Sequence, residues 1–465
     1  MSTACVILAA GKSKRMRSGL VKVLHPMCDR PMIDYPVELA LVRGYDPVVV
    51  VIGHQAEAVR EHLQQRFPGR LTFAVQGDPL GTGHAVLAAE RALRGVSGKL
   101  AVLYGDMPLL AGRDLGALER GGREAALAFL SCRLAEPRRY GRVLRDEHGT
   151  VEGIVEYADA SRAERRIDEI NTGIYLMDCP WLFSALKRLG RGNAQGEYYL
   201  TDLVAAARQQ GLAAAGVEVA PESVLGVNDR VELAATERAL RLRLLERWMR
   251  KGVTVVDPAT TFVGADVRLG ADSRLEPGCH LAGRTTVGQR CTIGPGAVIR
   301  NTRIAAEAEV RAYSVLDDCR LGRGVQVGPF ARLRPGTVLE PDARVGNFVE
   351  TKKTRLGKGA KANHLSYLGD ADIGAGVNVG AGTITCNYDG FDKHPTTVGA
   401  GTFIGSDVQL VAPVAVGRDA LIGAGTTVTR NVPANALAVS RTRQRNIDGY
   451  GMGRRRRRDE GDKGS

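Results

Sequence analysis

Several features that mark other protein classes are missing from this sequence of 465 residues. No hydrophobic run approaches the ~20 residues that span a bilayer, so no membrane-spanning segment is expected. The first predicted strand, Val6 to Ala10, begins so close to Met1 that no signal peptide is expected either. The eight cysteines form no CxxC pair, which argues against a zinc site. Scattered cysteines in a chain of this size fit reduced thiols, so we expect a cytoplasmic protein.

Two common nucleotide-binding signatures, the Walker A loop and the dinucleotide GxGxxG loop, are also absent. The chain does have the composition of a globular protein, 44% hydrophobic and 25% charged, and enough length for two or three domains. Its net charge of +13 suggests anionic partners such as phosphates, nucleotides, coenzyme A or nucleic acid.

A run of arginines, Arg454 to Arg458, contributes part of that charge. The residues around it are too polar to form a hydrophobic core, so we predict a disordered basic tail over 449–465. Binding of this tail to nucleic acid or to a membrane surface is an alternative. A solvated tail is the favoured interpretation, and neither nucleic acid nor a membrane is an expected partner.

The first half of the chain alternates short apolar runs with segments of helical periodicity. The predicted buried strands are Val6–Ala10, Val48–Ile52 and Leu100–Tyr104. The predicted helices are Glu57–Phe67 and His84–Leu93. Strands separated by helices favour an α/β layer with a mostly parallel sheet, which we assign to a domain at 1–228. Asp229 to Arg250 contains no Gly or Pro and predicts a long connecting helix, assigned to 229–251.

A strict period of six residues follows and predicts a second domain at 252–448. Apolar residues recur in phase at Val263, Leu269, Leu275, Leu281, Val287, Ile293 and Ile299, then at Leu321, Val327, Leu333, Leu339 and Val345, and again at Val398, Ile404, Leu410, Val416, Ile422 and Val428. This period is typical of short strands wound into a three-sided prism and stabilised by stacking. The phase is lost from Glu350 to Thr397, which we interpret as a polar insertion that leaves the solenoid and carries function.

A candidate anion-binding loop, Leu8 to Met16, follows the first strand with a glycine and three cations. Lys22 lies between apolar residues, where an anionic partner would explain it. Gln76 and the Gly81-Thr82 turn offer an amide and a hydroxyl to a base or sugar. Asp106 follows a strand at the sheet edge that holds ligands, where a carboxylate suits Mg²⁺. A helix N-cap explains Asp106 equally well.

These segments resemble the sugar-1-phosphate nucleotidyltransferases, with Ser13 and Lys14 standing where that family's loop usually has Gly-Thr. The resemblance implies a Rossmann-like (GT-A-like) fold, and Asp106 and Asn228 as Mg²⁺ ligands. The nucleotide and sugar-nucleotide positions that it implies are Leu8, Ala9, Gly11, Arg15, Lys22, Gln76, Gly81, Thr82, Tyr104, Gly105, Gly141, Glu156, Asn171 and Asn228. The segment Gln195 to Asp202 is typical of the family's UDP-N-acetylglucosamine branch.

A second candidate site lies within the interruption of the repeat. His364 is accompanied by Arg334 and Lys352, which fit a phosphorylated acceptor whose amine must lose a proton. Histidine titrates near neutral pH and is the natural general base for that step. A lone histidine is more often structural, but the surrounding cations and polar residues favour the catalytic interpretation.

Together with the front half, these segments resemble the bifunctional N-acetylglucosamine-1-phosphate uridyltransferase/glucosamine-1-phosphate acetyltransferase family from Met1 to about Arg443. The resemblance implies a left-handed parallel β-helix, a homotrimer with its site between subunits, and His364 as the base. It implies sugar binding by Arg334, Lys352, Tyr367 and Asn378, an acceptor site lined by Asn387 and Tyr388, and acetyl-CoA contacts from Ala381, Ser406, Ala424 and Arg441.

The reactions that this family implies run in sequence. Acetyl-CoA acetylates glucosamine-1-phosphate, and UTP then couples to N-acetylglucosamine-1-phosphate with release of pyrophosphate. The UDP-N-acetylglucosamine product would feed peptidoglycan and lipopolysaccharide synthesis. Two alternatives are a nucleotidyltransferase of another sugar whose solenoid is regulatory, and an inactive enzyme kept as a trimeric scaffold. The complete His364 constellation and the eighteen phased repeat positions argue against the first, and the presence of both Asp106 and His364 against the second.

Overall fold

The computed structural model describes residues 3–11, 14–440, 443–453 and 455. The chain divides into two compact units, Met1–Arg247 with Val263–Ala265, and Trp248–Phe262 with Asp266–Ser465. Of the predicted positions, Ser13, Arg441 and most of the arginine run lie outside the described residues. In the predicted tail, the described residues include a helical turn over 450–453. No helix in the described part of the chain is long and apolar enough to cross a membrane.

The first unit is an α/β fold. Its strands are β1 Ala4–Ala9, β2 Pro26–Met27, β3 Arg30–Pro31, β4 Val48–Ile52, β5 Thr72–Val75, β6 Lys99–Tyr104, β7 Leu127–Arg133, β8 Arg142–Arg145, β9 Val151–Val155, β10 Glu169–Asp178 and β11 Ala214–Glu218. Its helices are α1 Asp34–Val42, α2 Ala56–Arg66, α3 Thr82–Leu87, α4 Gly112–Gly121, α5 Cys179–Leu186, α6 Asp202–Gln209 and α7 Arg230–Met249. Short 3₁₀ turns occur at Lys14–Met16, Lys22–Leu24, Glu90–Leu93, Glu164–Arg166 and Pro221–Ser223.

The main sheet has the order β11-β7-β10-β6-β1-β4-β5, with β8 and β9 attached beside β10. β6, β1, β4 and β5 are parallel, as the alternation of strands and helices predicts. β10 runs antiparallel to both β6 and β7, and β8 and β9 form a further antiparallel pair. The predicted helix at His84–Leu93 is also shorter than expected. It ends at Leu87, and Glu90–Leu93 tightens into a 3₁₀ turn that buries Leu93.

Both faces of this sheet are buried, which explains why its strands are continuously apolar. In β1, Val6 and Leu8 pack into one hydrophobic cluster, whereas Cys5 and Ile7 pack into the cluster on the opposite face. This core holds the carboxyl ends of β1 and β6 side by side, since Leu8 pairs with Tyr104. Gly11 and Asp106 follow these two ends directly.

The second unit is a parallel β-helix with three faces, built from strands of two to four residues. Within the described residues, the first face comprises Thr254–Val255, Arg274–Leu275, Thr292–Ile293, Glu309–Val310, Gln326–Val327, Arg344–Asn347, Lys361–His364, Asn378–Val379, Phe403–Ile404, Leu421–Ile422 and Leu437–Ala438. The second face comprises Phe262–Val263, His280–Ala282, Val298–Arg300, Val315–Asp317, Arg332–Leu333, Glu350–Lys352, Tyr367–Gly369, Ile384–Cys386, Gln409–Val411 and Thr427–Val428. The third face comprises Arg268–Leu269, Thr286–Val287, Arg303–Ile304, Arg320–Leu321, Val338–Leu339, Arg355–Leu356, Ala371–Ile373, Thr396–Val398 and Val414–Val416.

The six-residue period is confirmed as the origin of this fold. All eighteen phased apolar residues are buried, each at most 7% exposed. They point into the prism, and the residue before each one in its strand is exposed or half-buried on the outside.

The prediction that Glu350 to Thr397 leaves the solenoid is wrong. All three faces continue through it, and its inward positions are filled by Thr351, Ala362 and Leu368 among others. The phase is lost because some coils are one residue shorter: Arg274 pairs with Thr292, but Lys361 pairs with Asn378. Each shorter coil shifts the phase of the six-residue period by one residue. Small or hydroxyl-bearing residues at inward positions also remove the apolar signal.

One true excursion remains within this region, between Cys386 and Thr396. Asn378 pairs with Phe403, 25 positions onward, instead of the usual 17 or 18. The added residues form a loop, 387–395, that projects from the corner between the second and third faces. Asp389 holds the loop by accepting the backbone N–H groups of Phe391 and Asp392.

The inward positions of the prism should carry most of the stability of the second unit. Leu410 is 0% exposed, whereas Leu437 is 64% exposed on the outside. We expect Leu410→Ala to lower the free energy of unfolding by about 3 kcal/mol and Leu437→Ala by less than about 0.5 kcal/mol. Urea titration followed by far-ultraviolet circular dichroism tests this, and equal effects of the two variants would contradict it.

Candidate active sites

The first candidate site is a cleft of about 270 Å³ at the carboxyl ends of β1 and β6. The predicted residues that line it are Leu8, Ala9, Gly11, Lys22, Gln76, Gly81, Thr82, Tyr104 and Asp106. Glu197 also lines the cleft. It lies in the Gln195 to Asp202 segment but is not among the predicted binding residues. Arg15, Gly105, Gly141, Glu156, Asn171 and Asn228 do not line it and are placed by contacts described below.

The Gly81-Thr82 turn is held against the Gln195 to Asp202 segment. The backbone N–H of Gly83 donates to the carbonyl of Tyr198 over 2.9 Å, and the Thr82 hydroxyl accepts the N–H of Leu200 over 3.2 Å. Gly81 has φ +103°, and a Cβ there would lie 2.7 Å from the Tyr198 carbonyl oxygen. Only glycine permits this approach. The Nε2 atom of the buried Gln76 reaches the Gly81 carbonyl and His84 Nδ1, which orients its amide in the cleft.

Two segments bring cations and oxygen ligands together beside this cleft. Lys22 Nζ forms an ion pair with the Asp106 carboxylate, and Arg15 Nη2 donates to Asn228 Oδ1 over 2.8 Å. The Val227 N–H donates to the Asp106 carbonyl over 3.0 Å, so the chain carrying Asn228 lies directly against Asp106. The alternative N-cap role of Asp106 is not observed, because the next helix, α4, begins only at Gly112.

The predicted sugar-binding residues form a second cluster. The Asn171 N–H donates to the Gly141 carbonyl over 2.9 Å, and the Asn171 side chain donates to the Tyr175 hydroxyl over 2.8 Å. A Cβ on Gly141 would lie 3.5 Å from Glu156 Oε2, so this carboxylate faces the Gly141 backbone. Glu156 also accepts the Thr201 hydroxyl over 3.2 Å, while burial raises its pKa.

Tyr104 links this cluster to the phosphate end of the cleft. Burial raises its pKa, and the negative charges of Asp106 and Glu156 act in the same direction. Its ring packs on Gly173, where φ is +87° and a Cβ would lie 2.8 Å from the ring. Gly105, the next residue, is buried, and its N–H donates to the Leu8 carbonyl.

The second candidate site is a cleft of about 560 Å³ on the first face of the β-helix. It is lined by His364 and Asn378 together with Ala381, Ser406 and Ala424, the described members of the predicted acetyl-CoA set. His364 Nδ1 lies 3.1 Å from Asn347 Oδ1, which leaves Nε2 available to a substrate. Asn347 was not predicted as a positioning residue, and a smaller cleft of about 310 Å³ that it lines lies on the other side of His364.

The remaining acceptor residues lie on the second face and at its far corner. Arg334 Nη1 donates to Glu350 over 2.9 Å, and the Asn387 side chain donates to Asp370 over 2.5 Å. A Cβ on Gly369 would lie 2.5 Å from the Tyr367 hydroxyl and 2.9 Å from Asn387 Nδ2, so these two groups converge there. Tyr388 is 59% exposed and donates its hydroxyl to the Gly390 carbonyl.

Besides Asn347, Lys393 is a residue of this site that the sequence did not predict, because it lies beyond the last predicted acceptor residue, Tyr388. The pKa of Lys352 is lowered, chiefly by the neighbouring Lys393 and then by Arg334. Three cations that repel one another in this way are suited to a phosphate group, whose charge would relieve the repulsion. The signal that could have identified Lys393 is its positive charge in the same loop as Asn387 and Tyr388.

The folds and clefts define the class of protein: a nucleotidyltransferase joined to a hexapeptide-repeat transferase. Residues 4–219 match the nucleotidyl transferase family, 263–356 the GMPPB C-terminal domain, and 395–430 the six-repeat bacterial transferase hexapeptide family. Over 453 residues the chain is 52% identical to the bifunctional protein GlmU of Pelobacter propionicus, covering 97% of this chain and 98% of that one. It is 49% identical over 459 residues to the GlmU of Trichlorobacter lovleyi, covering 97% and 99% of the two chains.

A third relative, the bifunctional protein GlmU of Anaeromyxobacter dehalogenans strain 2CP-1, is 52% identical over 450 residues, covering 96% of this chain and 92% of the other. The chain therefore belongs to the GlmU family of bifunctional uridyltransferases and acetyltransferases. The resemblance found in the sequence is confirmed.

The raised pKa of Glu156 has a consequence for stability. The folded protein holds this proton to a higher pH than the unfolded chain, so the free energy of unfolding falls as the pH rises between the two pKa values. Glu156→Gln should therefore raise the melting temperature at pH 7 and have little effect at about pH 4. Calorimetry across this range tests the prediction. The exposed neighbour Glu152 supplies the control Glu152→Gln, and equal behaviour of both variants would contradict it.

Proposed function

We propose that the two units catalyse successive steps of UDP-N-acetylglucosamine synthesis, with acetyl transfer in the β-helix unit and uridyl transfer in the α/β unit. The observation that carries this proposal is the placement of His364 in the cleft lined by Ala381 and Ser406, while Asp106 occupies a separate cleft in the other unit. The substrates are glucosamine-1-phosphate, acetyl-CoA and UTP, with N-acetylglucosamine-1-phosphate as the intermediate. Cytoplasmic location stays a prediction.

In the acetyl transfer, the amine of glucosamine-1-phosphate attacks the acetyl carbon of acetyl-CoA. The new N–C bond forms as the C–S bond breaks. His364 Nε2 takes the proton from the nitrogen and returns it to the departing thiolate, while Asn347 holds the ring through Nδ1. Arg334, Lys352 and Lys393 bind the sugar phosphate, Tyr367 and Asn378 hold the sugar, and Asn387 lines the acceptor site beside Tyr367.

In the uridyl transfer, a phosphate oxygen of N-acetylglucosamine-1-phosphate attacks the α-phosphorus of UTP and pyrophosphate leaves. Catalysis of this step depends on positioning and charge neutralisation. Lys22 and Arg15 bind phosphate oxygens, Gln76 and the Gly81-Thr82 turn hold the uridine, and Glu156 and Asn171 hold the sugar.

The donor set beside the phosphates fits a divalent ion. Asp106 supplies a carboxylate oxygen and Asn228 an amide oxygen, and such hard oxygens suit Mg²⁺, which keeps several waters and substrate phosphates as its other ligands. In the described part of the chain no cluster of three or more His, Cys, Asp or Glu offers an alternative metal site. We propose Mg²⁺ at Asp106 and Asn228, where it would neutralise charge on the phosphates when bound.

We propose that a second copy of the chain completes the acetyltransferase site. His364 and the acetyl-CoA residues lie on the first face of the prism, but Arg334 and Lys352 lie at the far end of the second face. One copy therefore presents two half-sites that diverge from a shared corner. We propose a homotrimer in which the first face of one copy opposes the second face of the next across a wedge-shaped cleft.

An apolar ladder along that shared corner supports this assembly. It consists of Tyr313, Phe330, Phe348 and Leu365 on successive coils, which are 49–63% exposed. The ring centroids of Tyr313 and Phe330 are 5.3 Å apart, and those of Phe330 and Phe348 are 5.6 Å apart. All four residues have positive φ, an unfavourable conformation for bulky side chains, and burial at a three-fold axis would offset that cost.

A paired assay on the full chain tests the two activities. Free thiol is followed with glucosamine-1-phosphate and acetyl-CoA, and pyrophosphate with UTP, Mg²⁺ and N-acetylglucosamine-1-phosphate. His364→Ala should lower thiol release by about 100-fold or more and leave pyrophosphate release intact, because only the general base is removed. Asp106→Ala should do the reverse. Pyrophosphate release without thiol release in the unaltered protein would favour a regulatory solenoid instead.

The ladder predicts the behaviour of a charged variant. Phe330→Asp combined with Phe348→Asp should convert the trimer to monomers in sedimentation velocity, because buried carboxylates would face one another at the axis. Thiol release should be lost while pyrophosphate release persists. Thr397→Asp, at an exposed position on the third face, which the proposed assembly leaves uncovered, is the control. A double variant that stays trimeric would exclude this corner as the contact.

A further inference from the structure

In the uridyl transfer site, the residues assigned to the metal are paired with the residues assigned to the phosphates. The Asp106 carboxylate contacts Lys22 Nζ, and both side chains are largely buried, at 16% and 14% exposed. The Asn228 Oδ1 atom accepts a hydrogen bond from Arg15 Nη2 over 2.8 Å. Each predicted metal ligand thus has a cationic partner, and each partner is a predicted phosphate-binding residue.

The backbone fixes these two oxygen ligands beside each other. The Val227 N–H bonds to the Asp106 carbonyl, and a Cβ on Gly226 would lie 3.6 Å from Asp106 Oδ1. The Asn228 N–H donates to Glu232 Oε2 over 2.8 Å, which anchors that segment to the first turn of α7. The ligands therefore stay in place, and the long side chains of Lys22 and Arg15 are the parts free to exchange partners.

Electrostatics makes that exchange cooperative. A divalent ion that enters alone must separate Lys22 from Asp106 and leaves two side-chain cations beside a double positive charge. A triphosphate that enters alone brings its negative oxygens close to the Asp106 carboxylate. When both enter, the cations move to the phosphates and the oxygens to the metal, so every charge keeps an opposite partner. Partial burial of Lys22 and Asp106 strengthens the interactions that involve them.

We infer that Lys22 and Arg15 hold the place of the divalent ion until the nucleotide arrives, so that metal and triphosphate bind cooperatively. This inference rests on the proposed uridyl transfer and adds to it how the metal is bound. Without nucleotide the metal binds weakly, and the nucleotide frees Asp106 and Asn228 to bind it. By linkage, the metal strengthens nucleotide binding by the same factor as the nucleotide strengthens metal binding.

Nucleotide-free Mn²⁺ binding, followed by electron paramagnetic resonance on the full chain, tests the placeholder role of Lys22. Lys22→Met should bind Mn²⁺ about tenfold more tightly than the unaltered protein, because the ion no longer displaces a competing ammonium. The gain in Mn²⁺ affinity should disappear in the double variant Lys22→Met with Asp106→Asn, because the amide is a weaker metal ligand than the Asp106 carboxylate. Lys187→Met is the control, because it removes the same charge from an exposed pair with Glu90 in the same unit.

Equal Mn²⁺ affinities for the unaltered protein and Lys22→Met would overturn the inference, as would an equal gain in Lys187→Met or a gain that survives the loss of Asp106. This measurement contains no nucleotide or sugar, so it is independent of the proposed reaction. Pyrophosphate release by the unaltered protein tests that reaction separately, and its absence would refute the proposed function without altering the Mn²⁺ result.

Discussion

Backbone hydrogen bonding between successive coils is the constraint on which the β-helix and its site depend. Strands of two or three residues cannot form a stable sheet alone, so each coil persists only through its neighbours above and below. The Asn347 to His364 pairing places these two side chains on adjacent coils, where the amide orients the imidazole. The same stacking aligns Tyr313, Phe330 and Phe348 into a ladder at one corner. The geometry of the candidate site and the apolar ladder therefore share one cause.

A different constraint governs the α/β unit, where the close pairing of β1 with β6 places a glycine loop beside a carboxylate. Two apolar clusters bury both faces of the sheet and leave only the carboxyl edge for polar groups. At that edge Lys22 forms an ion pair with Asp106, and Arg15 donates a hydrogen bond to the Asn228 amide oxygen. The two units thus reach function by different routes. One divides its candidate residues between two faces of a prism, and the other gathers most of its candidate residues in or beside one cleft.

Much of this architecture could be predicted because its causes are local. Continuous apolar runs identified β1, β4 and β6, and inward residues at every sixth position identified the prism, since alternation and burial act on neighbouring residues. The region from Glu350 to Thr397 was misread for the same reason. A five-residue step shifts the phase, and Thr351 or Ala362 fills an inward position without an apolar signature. The antiparallel direction of β10 also escaped prediction, because strand direction depends on partners far away in the chain.

The sequence by itself determined the fold class, the two families of domain and the identities of most candidate site residues, because motifs such as Gly81-Thr82 and the His364 segment are contiguous. Only the tertiary structure decided which residues meet. It placed Lys22 on Asp106, brought Lys393 to Lys352, set Asn347 beside His364, and separated Arg334 from His364 onto another face. Such relations depend on the number of residues in each coil and on long-range strand pairing. Shorter coils interrupt the six-residue period, and long-range strand pairing leaves no periodic signal along the chain.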